Sequence, residues 1–334
     1  MAPRVSILIA SLNTRELLRD CLRSLRAVAY QPRETIVVDN GSSDGTAAMV
    51  RDEFPEVQLI ALPANLGFVG ANLRAYAQAS GAYVCFLNSD TRVEPDFLTH
   101  LVAFMEACPD AGGCEPKILW MRDPSRLDSV GDYLTWTGLL HHEGYLAPEQ
   151  TLTEAKPIFA AKGACMLFRQ SVLRLVGLFD EAYFAYFEET DLCWRVWLSG
   201  HKVYVVPAAR ILHLLAGTSR HTDSYLVTYH SFKNRIHSMA KNFGAAQLWR
   251  VMPVHLAICA SLMLVYAARM RRAKARAIRD AVWWNVRTLP RTWRQRRSVQ
   301  RDLRSVPDRV LMRVAMAKVP LRYFWSLYRE YERV

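Results

Sequence analysis

The chain has 334 residues, 51% of them hydrophobic and 22% charged, so it is long enough to bury a core and too apolar for a disordered polymer. Its seven cysteines (21, 85, 108, 114, 165, 193 and 259) form no Cys-x-x-Cys pair, which argues against a zinc ribbon or a disulfide framework and fits reduced thiols. The net charge of +12 is unevenly placed: residues 241–334 carry +16 and residues 1–240 carry −4. An ordinary, slightly acidic front is therefore followed by a basic tail suited to a polyanionic surface.

Val5 to Leu12 is an apolar run of strand length, too short for a signal-peptide core. Asn13 and Thr14 offer caps for a helix from Arg15 to about Val28, with Leu17, Leu18, Cys21, Leu22 and Leu25 on one face. Thr35–Asp39 predicts a second strand, and Ser43 or Asp44 a cap for a helix near 45–53. Val57–Ala61 reads as a strand, Gly67–Ser80 as a helix and Tyr83–Leu87 as a fourth strand. Alternating strands and helices predict an α/β fold with a mostly parallel sheet, whose ligands bind at the carboxyl ends of the strands. Those ends carry Asn13, then Asp39 and Asn40, then Asn88, Ser89 and Asp90. Each alone is a turn former; their convergence on one edge points to a site.

No Gly-x-Gly-x-x-Gly and no Walker loop is present, which removes the main support for a dinucleotide dehydrogenase or a P-loop ATPase. A diphosphate ligand would then need a metal, and Asp90, just past a buried strand, can hold a hard cation such as Mg²⁺ or Mn²⁺.

Five motifs in order now carry a resemblance: Val5–Asn13; Val37-Val-Asp39-Asn-Gly-Ser-Ser-Asp44-Gly-Thr46; Asn65-Leu-Gly67-Phe68 with Asn72; Asn88-Ser89-Asp90-Thr91; and Phe184–Arg195, containing Glu188-Glu189-Thr190-Asp191. Together with Gly163–Arg169 and Gly177–Glu181 they resemble the family 2 glycosyltransferases of the GT-A fold, most closely the rhamnosyltransferase-like branch of bacterial surface polysaccharide synthesis. The resemblance covers about two thirds of the chain, ending near Ser219. It implies a GT-A catalytic domain over 1–240, with a nucleotide-sugar half to about 115 and an acceptor half beyond. It implies an inverting, metal-dependent transfer from a UDP- or dTDP-sugar, dTDP-rhamnose favoured, to a saccharide or lipid-linked acceptor.

Carried over by position, Ser11, Asn13, Asp39, Asn65, Gly67, Asn88 and Ser89 would line the donor site, with Asp39 on the pyrimidine and Asn88 opening a variant Asp-x-Asp motif. Asp90 would bind the metal, and His213, ahead of Gly217-x-Ser219, would complete that site. The first motif ends Leu12-Asn13 where the family usually has Tyr-Asn, so a ring stacking on the base from that position is lost or an aliphatic contact replaces it. Glu189 falls at the family's base position, with Glu188 and Asp191 as the other catalytic candidates. The acids are expected just ahead of a helix over 192–199. Read without the family, acids at a helix start complement the macrodipole. The five aromatics of Phe179–Phe187 before them suit a desolvated pocket that raises a carboxylate toward a useful base. Trp194 and Trp197 read as core.

Residues 251–268 lack charge, close to the length of a spanning helix but interrupted by Pro253, His255 and Ser261. Arg269, Arg271, Arg272, Lys274, Arg276 and Arg279 follow, and then Trp283, Trp284 and Trp293 alternate with arginines. Residues 241–334 therefore predict basic amphipathic helices on an anionic membrane surface, peripheral or monotopic on the cytoplasmic face of the inner membrane. The alternatives are a nucleotidyltransferase, which would carry a glycine-rich loop where Ser11–Thr14 stands, and a nucleic-acid-binding protein, which would leave the acidic cluster unused. No nucleic-acid module is recognisable, and no nucleic-acid partner is expected.

Overall fold

The structure, a computed structural model, describes residues 2–214, 224–320 and 323; Gly217 and Ser219 of the expected His-x-x-x-Gly-x-Ser run lie outside the described residues. The front half follows the alternating pattern: β1 (Val5–Ser11), α1 (Arg15–Arg26), β2 (Arg33–Asp39), α2 (Thr46–Glu53), β3 (Gln58–Ala61), α3 (Gly67–Tyr76) and β4 (Tyr83–Leu87). After them come β5 (Thr91–Val93), α4 (Phe97–Ala107), β6 (Ala111–Trp120), β7 (Asp123–Leu127), the paired strands β8 (Asp132–Leu134) and β9 (Leu140–His142), and β10 (Lys156–Ile158). β11 (Cys165–Arg169), α5 (Gln170–Val176), α6 (Glu188–Leu198) and β12 (Lys202–His213) complete this half.

The main sheet runs β10-β12-β6-β11-β4-β1-β2-β3, with β5 on β12 and β7 on β6. β1 is parallel to β2 and β4, β2 to β3, and β12 to β6; β11 enters antiparallel between β4 and β6. This is the expected α/β architecture. Apolar residues from β1, β4 and β11 meet α1 and α4 in one core that includes Ile7, Ile9, Leu18, Leu22, Cys85, Leu87, Phe97, Leu101 and Leu167. The seven cysteines are free.

Two local expectations change. The Thr14 hydroxyl does not cap α1, because it is taken by Ser11 Oγ at 2.7 Å and Ser89 Oγ at 3.0 Å. The cap comes from Asp44, whose Oδ2 accepts from the Arg15 backbone N–H at 2.9 Å while Oδ1 accepts from the N–H and hydroxyl of Thr46. One carboxylate thus serves the starts of α1 and α2. In α6 the expected start at 192 moves to Glu188, so the acidic residues form the helix's first turn.

The chain divides into two compact units, one of residues 1–132 with 142–217, the other of 133–141 with the chain from 218 onward. The boundary expected at 240/241 falls inside a helix. The second unit holds α7 (Ser224–Asn242), α8 (Ala245–Ala268), α9 (Arg272–Arg287), α10 (Leu289–Ser298) and α11 (Asp308–Ala315). Phe232, Ile236, Cys259, Tyr266, Ile278 and Ala281 form its core. Some arginines of the tail serve the fold rather than a surface. Arg296 donates to the carbonyls of Ala240 and Phe243, and Arg304 to that of Asn242, so both close the C-terminal end of α7, where cations complement the helix dipole. α8 buries only the stripe Val251, His255, Cys259 and Tyr266.

The shared cap gives a test. Asp44→Ala should lower the stability of the first unit by about 1–2 kcal/mol in a urea titration, since it removes acceptors from two helix starts, and Asp44→Asn should cost less because an acceptor remains. Equal losses for the two would remove capping as the cause.

Candidate active site

The carboxyl ends of β1, β2 and β4 do converge, and hydrogen bonds lock their loops together. Ser11, Thr14 and Ser89 form a buried line of hydroxyls joining the end of β1 to the end of β4. Asn13, in the left-handed region at φ 52°, accepts from the Ser43 N–H through Oδ1 at 2.8 Å and donates its own N–H to Ser42 Oγ at 2.9 Å. Asp39 is buried, with Oδ1 accepting from the Ser42 N–H at 3.2 Å. Asn40 donates through Nδ2 to Asn65 Oδ1 at 2.9 Å and accepts from the Leu66 N–H. Asn65 Oδ1 also accepts from the Gly67 N–H at 2.8 Å. The structure thus places Asn65 and Gly67 in the scaffold of this pocket edge. Asn88 is fixed by its backbone: its N–H donates to the Ala164 carbonyl and its carbonyl accepts from the Thr91 hydroxyl.

Asp90 and His213 are brought face to face. β12 pairs antiparallel with β5 in the register His213↔Thr91, and the Leu214 N–H donates to the Asp90 carbonyl. His213 Nε2 lies 3.4 Å from Asp90 Oδ1. Asp90 is 2% exposed, and that Oδ1 is buried without a hydrogen-bond partner among the described residues. His213 Nδ1 faces Asp128 Oδ2 at 2.5 Å, and Asp128 Oδ1 accepts from Lys162 Nζ. Burial alone would lower the pKa of His213, but the hydrogen bond to Asp128 and the nearness of the Asp90 and Asp128 carboxylates outweigh it and raise it to about 9, so a cation at Nε2 would have to displace a proton. Burial likewise pushes Asp128 up, and the opposing pull of Lys162 and His213 leaves it below the usual carboxylate range.

This donor set fits a divalent cation. A carboxylate oxygen that lacks a donor faces an imidazole nitrogen whose other nitrogen is held by a second carboxylate, the usual support of a ligating histidine. No group of three or more His, Cys, Asp or Glu ligands gathers among the described residues. Two protein ligands suit Mg²⁺ or Mn²⁺, which complete their shells with phosphate oxygens and water.

The acidic cluster occupies the first turn of α6, behind two strained residues: Tyr186 and Phe187 both have φ 71°, in the left-handed region. Such strain, on the order of 1–3 kcal/mol per residue, persists where surrounding contacts over-determine the backbone. Here the loop is seated on α3. The Phe184 carbonyl accepts from the Val69 N–H, and a Cβ on Gly67 would come 2.3 Å from that oxygen. Gly67 is therefore the place where the loop carrying the acids meets the pocket edge.

The three acids differ in surroundings. Asp191 is buried and pairs with Arg195 Nε at 3.0 Å; Arg195 in turn donates to the carbonyls of Val176, Gly177 and Leu178. Glu188 and Glu189 each have a buried Oε2 with no hydrogen-bond partner among the described residues. Burial and the charge of Glu189 push Glu188 well up. Burial, then the charge of Asp132, raise Glu189 to about 7, against the pull of His142 and Lys162. Trp194 and Trp197 are core, as expected.

Several residues here belong to no motif in the sequence. Lys162 is the junction: it binds Asp128, its backbone N–H donates to Glu115 Oε2 at 2.7 Å, and its charge is felt at Glu189. Asp132 faces His142 Nδ1 at 2.5 Å. Lys162 adjoins the Gly163–Arg169 motif, which was its one signal; Asp128 had none.

Comparison with known proteins identifies the family and the fold. The family model "Glycosyl transferase family 2" matches residues 6–177. The N-acetylglucosaminyl-diphospho-decaprenol L-rhamnosyltransferase of Mycobacterium tuberculosis is 32% identical over 235 residues, covering 63% of this chain and 76% of the relative. Among solved structures, the mannosyltransferase PcManGT from Pyrobaculum calidifontis, in complex with GDP-Man and Mn²⁺, aligns with a TM-score of 0.54 at 17% identity over 86% of this chain and 88% of its own. S. aureus TarS 1–349 in complex with UDP-GlcNAc aligns at 0.59 and 16% over 84% and 80%. These structural likenesses carry the GT-A fold, and the family model with the rhamnosyltransferase relative carries the assignment: the chain belongs to glycosyl transferase family 2 and is a glycosyltransferase.

Proposed function

We propose that this glycosyltransferase moves a sugar, L-rhamnosyl favoured, from a dTDP- or UDP-sugar to a lipid-linked saccharide with inversion at the anomeric carbon. The observation that carries the reading is Glu189, a base-strength carboxylate with a buried oxygen lacking a partner, in the same unit as the Asp90–His213 pair. The mycobacterial relative, named for a rhamnosyl transfer to a diphospho-decaprenol-linked N-acetylglucosamine, supports the donor and acceptor classes.

In this reading Asp39 and the loops at Asn13 and Asn65 receive the nucleoside, and Asp90 and His213 hold the divalent cation. The cation, when bound, neutralises the charge that develops on the departing diphosphate. Glu189 takes the proton from the acceptor hydroxyl as that oxygen bonds to the anomeric carbon. The bond from that carbon to the diphosphate breaks, and the nucleoside diphosphate leaves. Asp191 orients the loop through Arg195 rather than reaching the acceptor, and burial with the charge of Glu189 pushes Glu188 well above the usual carboxylate range.

The second unit supports work at a membrane. α8 has 24 residues, and its most apolar 18-residue stretch has a mean hydropathy of 2.0, long and apolar enough to cross a membrane by length and composition. It leaves Trp249 at 79% and Leu264 at 73% exposure. Trp283 and Trp293 are also exposed, with the Arg287 guanidinium 5.1 Å from the Trp283 ring. Exposed Trp beside Arg suits the headgroup zone, and because one stripe of α8 is packed on its own unit we read the helix as lying in the interface on the cytoplasmic side.

Two outcomes test this. A base with a pKa of about 7 acts when deprotonated, so kcat/KM should fall about tenfold per pH unit below 7. Glu189→Gln should lower kcat by about 10²-fold or more, leave nucleotide binding intact and erase that acid limb. The same pattern in Glu188→Gln and not in Glu189→Gln would move the base to Glu188. For the membrane, salt or alkaline carbonate should release a large share of full-length protein from anionic vesicles, since surface charges are screened within about 8 Å at physiological salt. Full retention after both washes would make α8 a spanning helix.

A further inference from the structure

Asp128 belongs to no motif, and the reaction proposed above gives it no contact with a substrate. It is nonetheless fully buried with both oxygens committed: Oδ1 to Lys162 Nζ, Oδ2 to His213 Nδ1 at 2.5 Å. An imidazole whose Nδ1–H is held by a carboxylate presents Nε2 on its far edge. In this structure that edge faces Asp90 Oδ1, the buried oxygen without a hydrogen-bond partner, at 3.4 Å.

We propose that Asp128 is a positioning residue for the divalent cation: it holds the Nδ1 edge of His213 so that Nε2, freed of its proton when a cation binds, is turned to Asp90, and Lys162 in turn fixes the plane of the Asp128 carboxylate. The inference rests on the reading that Asp90 and His213 hold the cation. Three parts of the fold converge to make the line. Asp128 follows β7, and its backbone N–H donates to the Ile118 carbonyl on β6. His213 ends β12, and Lys162 precedes β11 with its backbone N–H tied to Glu115. Both partners of Asp128 are thus anchored by main-chain contacts of their own, which a counter-ion serving only to neutralise Lys162 would not need. Lys162 also has Asp132 and Glu115 within electrostatic reach, so Asp128 is not its sole source of compensation. A carboxylate behind a ligating histidine fixes the ring and raises its basicity, and loss of such a partner weakens metal binding by about 10–100-fold.

The test reads Mn²⁺ affinity of the full chain, by the electron paramagnetic resonance signal of free Mn²⁺ with no nucleotide present. Asp128→Asn should weaken binding about 10–100-fold. That substitution also leaves the Lys162 charge buried beside a neutral amide and lowers stability, so the deciding variant is Asp128→Asn with Lys162→Met, which removes both charges. If Asp128 works through His213, the double variant recovers the melting temperature lost in the single one while Mn²⁺ affinity stays low. Recovery of both to wild-type values would make Asp128 a counter-ion of Lys162 and overturn the proposal. Asp90→Asn and His213→Ala separate the two levels. If they bind Mn²⁺ as the wild type does, the metal reading itself fails. If they lose it while the Asp128 variants keep it, only the positioning role fails.

Discussion

One carboxylate oxygen without a donor governs the arrangement of the catalytic unit. Asp90 Oδ1 is enclosed, unpartnered and 3.4 Å from His213 Nε2. A buried acceptor left in that state costs on the order of 1–3 kcal/mol, more when charged, unless a positive charge answers it. The strand register sets a second ligand atom beside it: β5 beside β12 places His213 against Thr91, and the Leu214 N–H clasps the Asp90 carbonyl. Behind the histidine stand Asp128 and then Lys162, in a line that crosses from one strand end to the next. Each member is tolerable in the interior only because its neighbours are present.

The acids of α6 obey the opposite logic. A helix N-terminus favours ionised carboxylates, whereas burial and a neighbouring Glu disfavour them, and for Glu188 and Glu189 burial wins. Asp191, two residues past Glu189 in the same turn, escapes by pairing with Arg195. That pairing tethers the preceding loop through three carbonyls, and the loop rests on Gly67. The strained backbone at Tyr186 and Phe187 is the local cost of presenting Glu188 and Glu189 at this point. The loop at Gly67 and the proposed base are therefore joined by packing inside one unit.

How much of this was legible in the sequence depends on distance along the chain. β1, β2 and β4 announced themselves as apolar runs, and their polar ends named Asn13, Asp39 and Asp90, because strand and following loop are contiguous. The antiparallel entry of β11 between β4 and β6 was not legible, since nothing local in Cys165–Arg169 distinguishes its direction. Asp128 meets His213 across 85 residues, and neither belongs to the other's local pattern. Thr14 looked like a cap and is not, because Ser11 and Ser89 claim its hydroxyl. In the tail, composition could not separate Arg296 and Arg304, which close α7, from the arginines that remain at the surface.

The central claim is that Asp90 and His213 together hold the divalent cation that serves the leaving diphosphate. Crystals of the full chain grown with Mn²⁺ and dTDP, with diffraction collected across the manganese edge, test it most directly. The account predicts one anomalous peak within coordinating distance of Asp90 Oδ1 and His213 Nε2, bridged to the diphosphate. A nucleotide bound beside Asp39 with no anomalous density between Asp90 and His213 would contradict it.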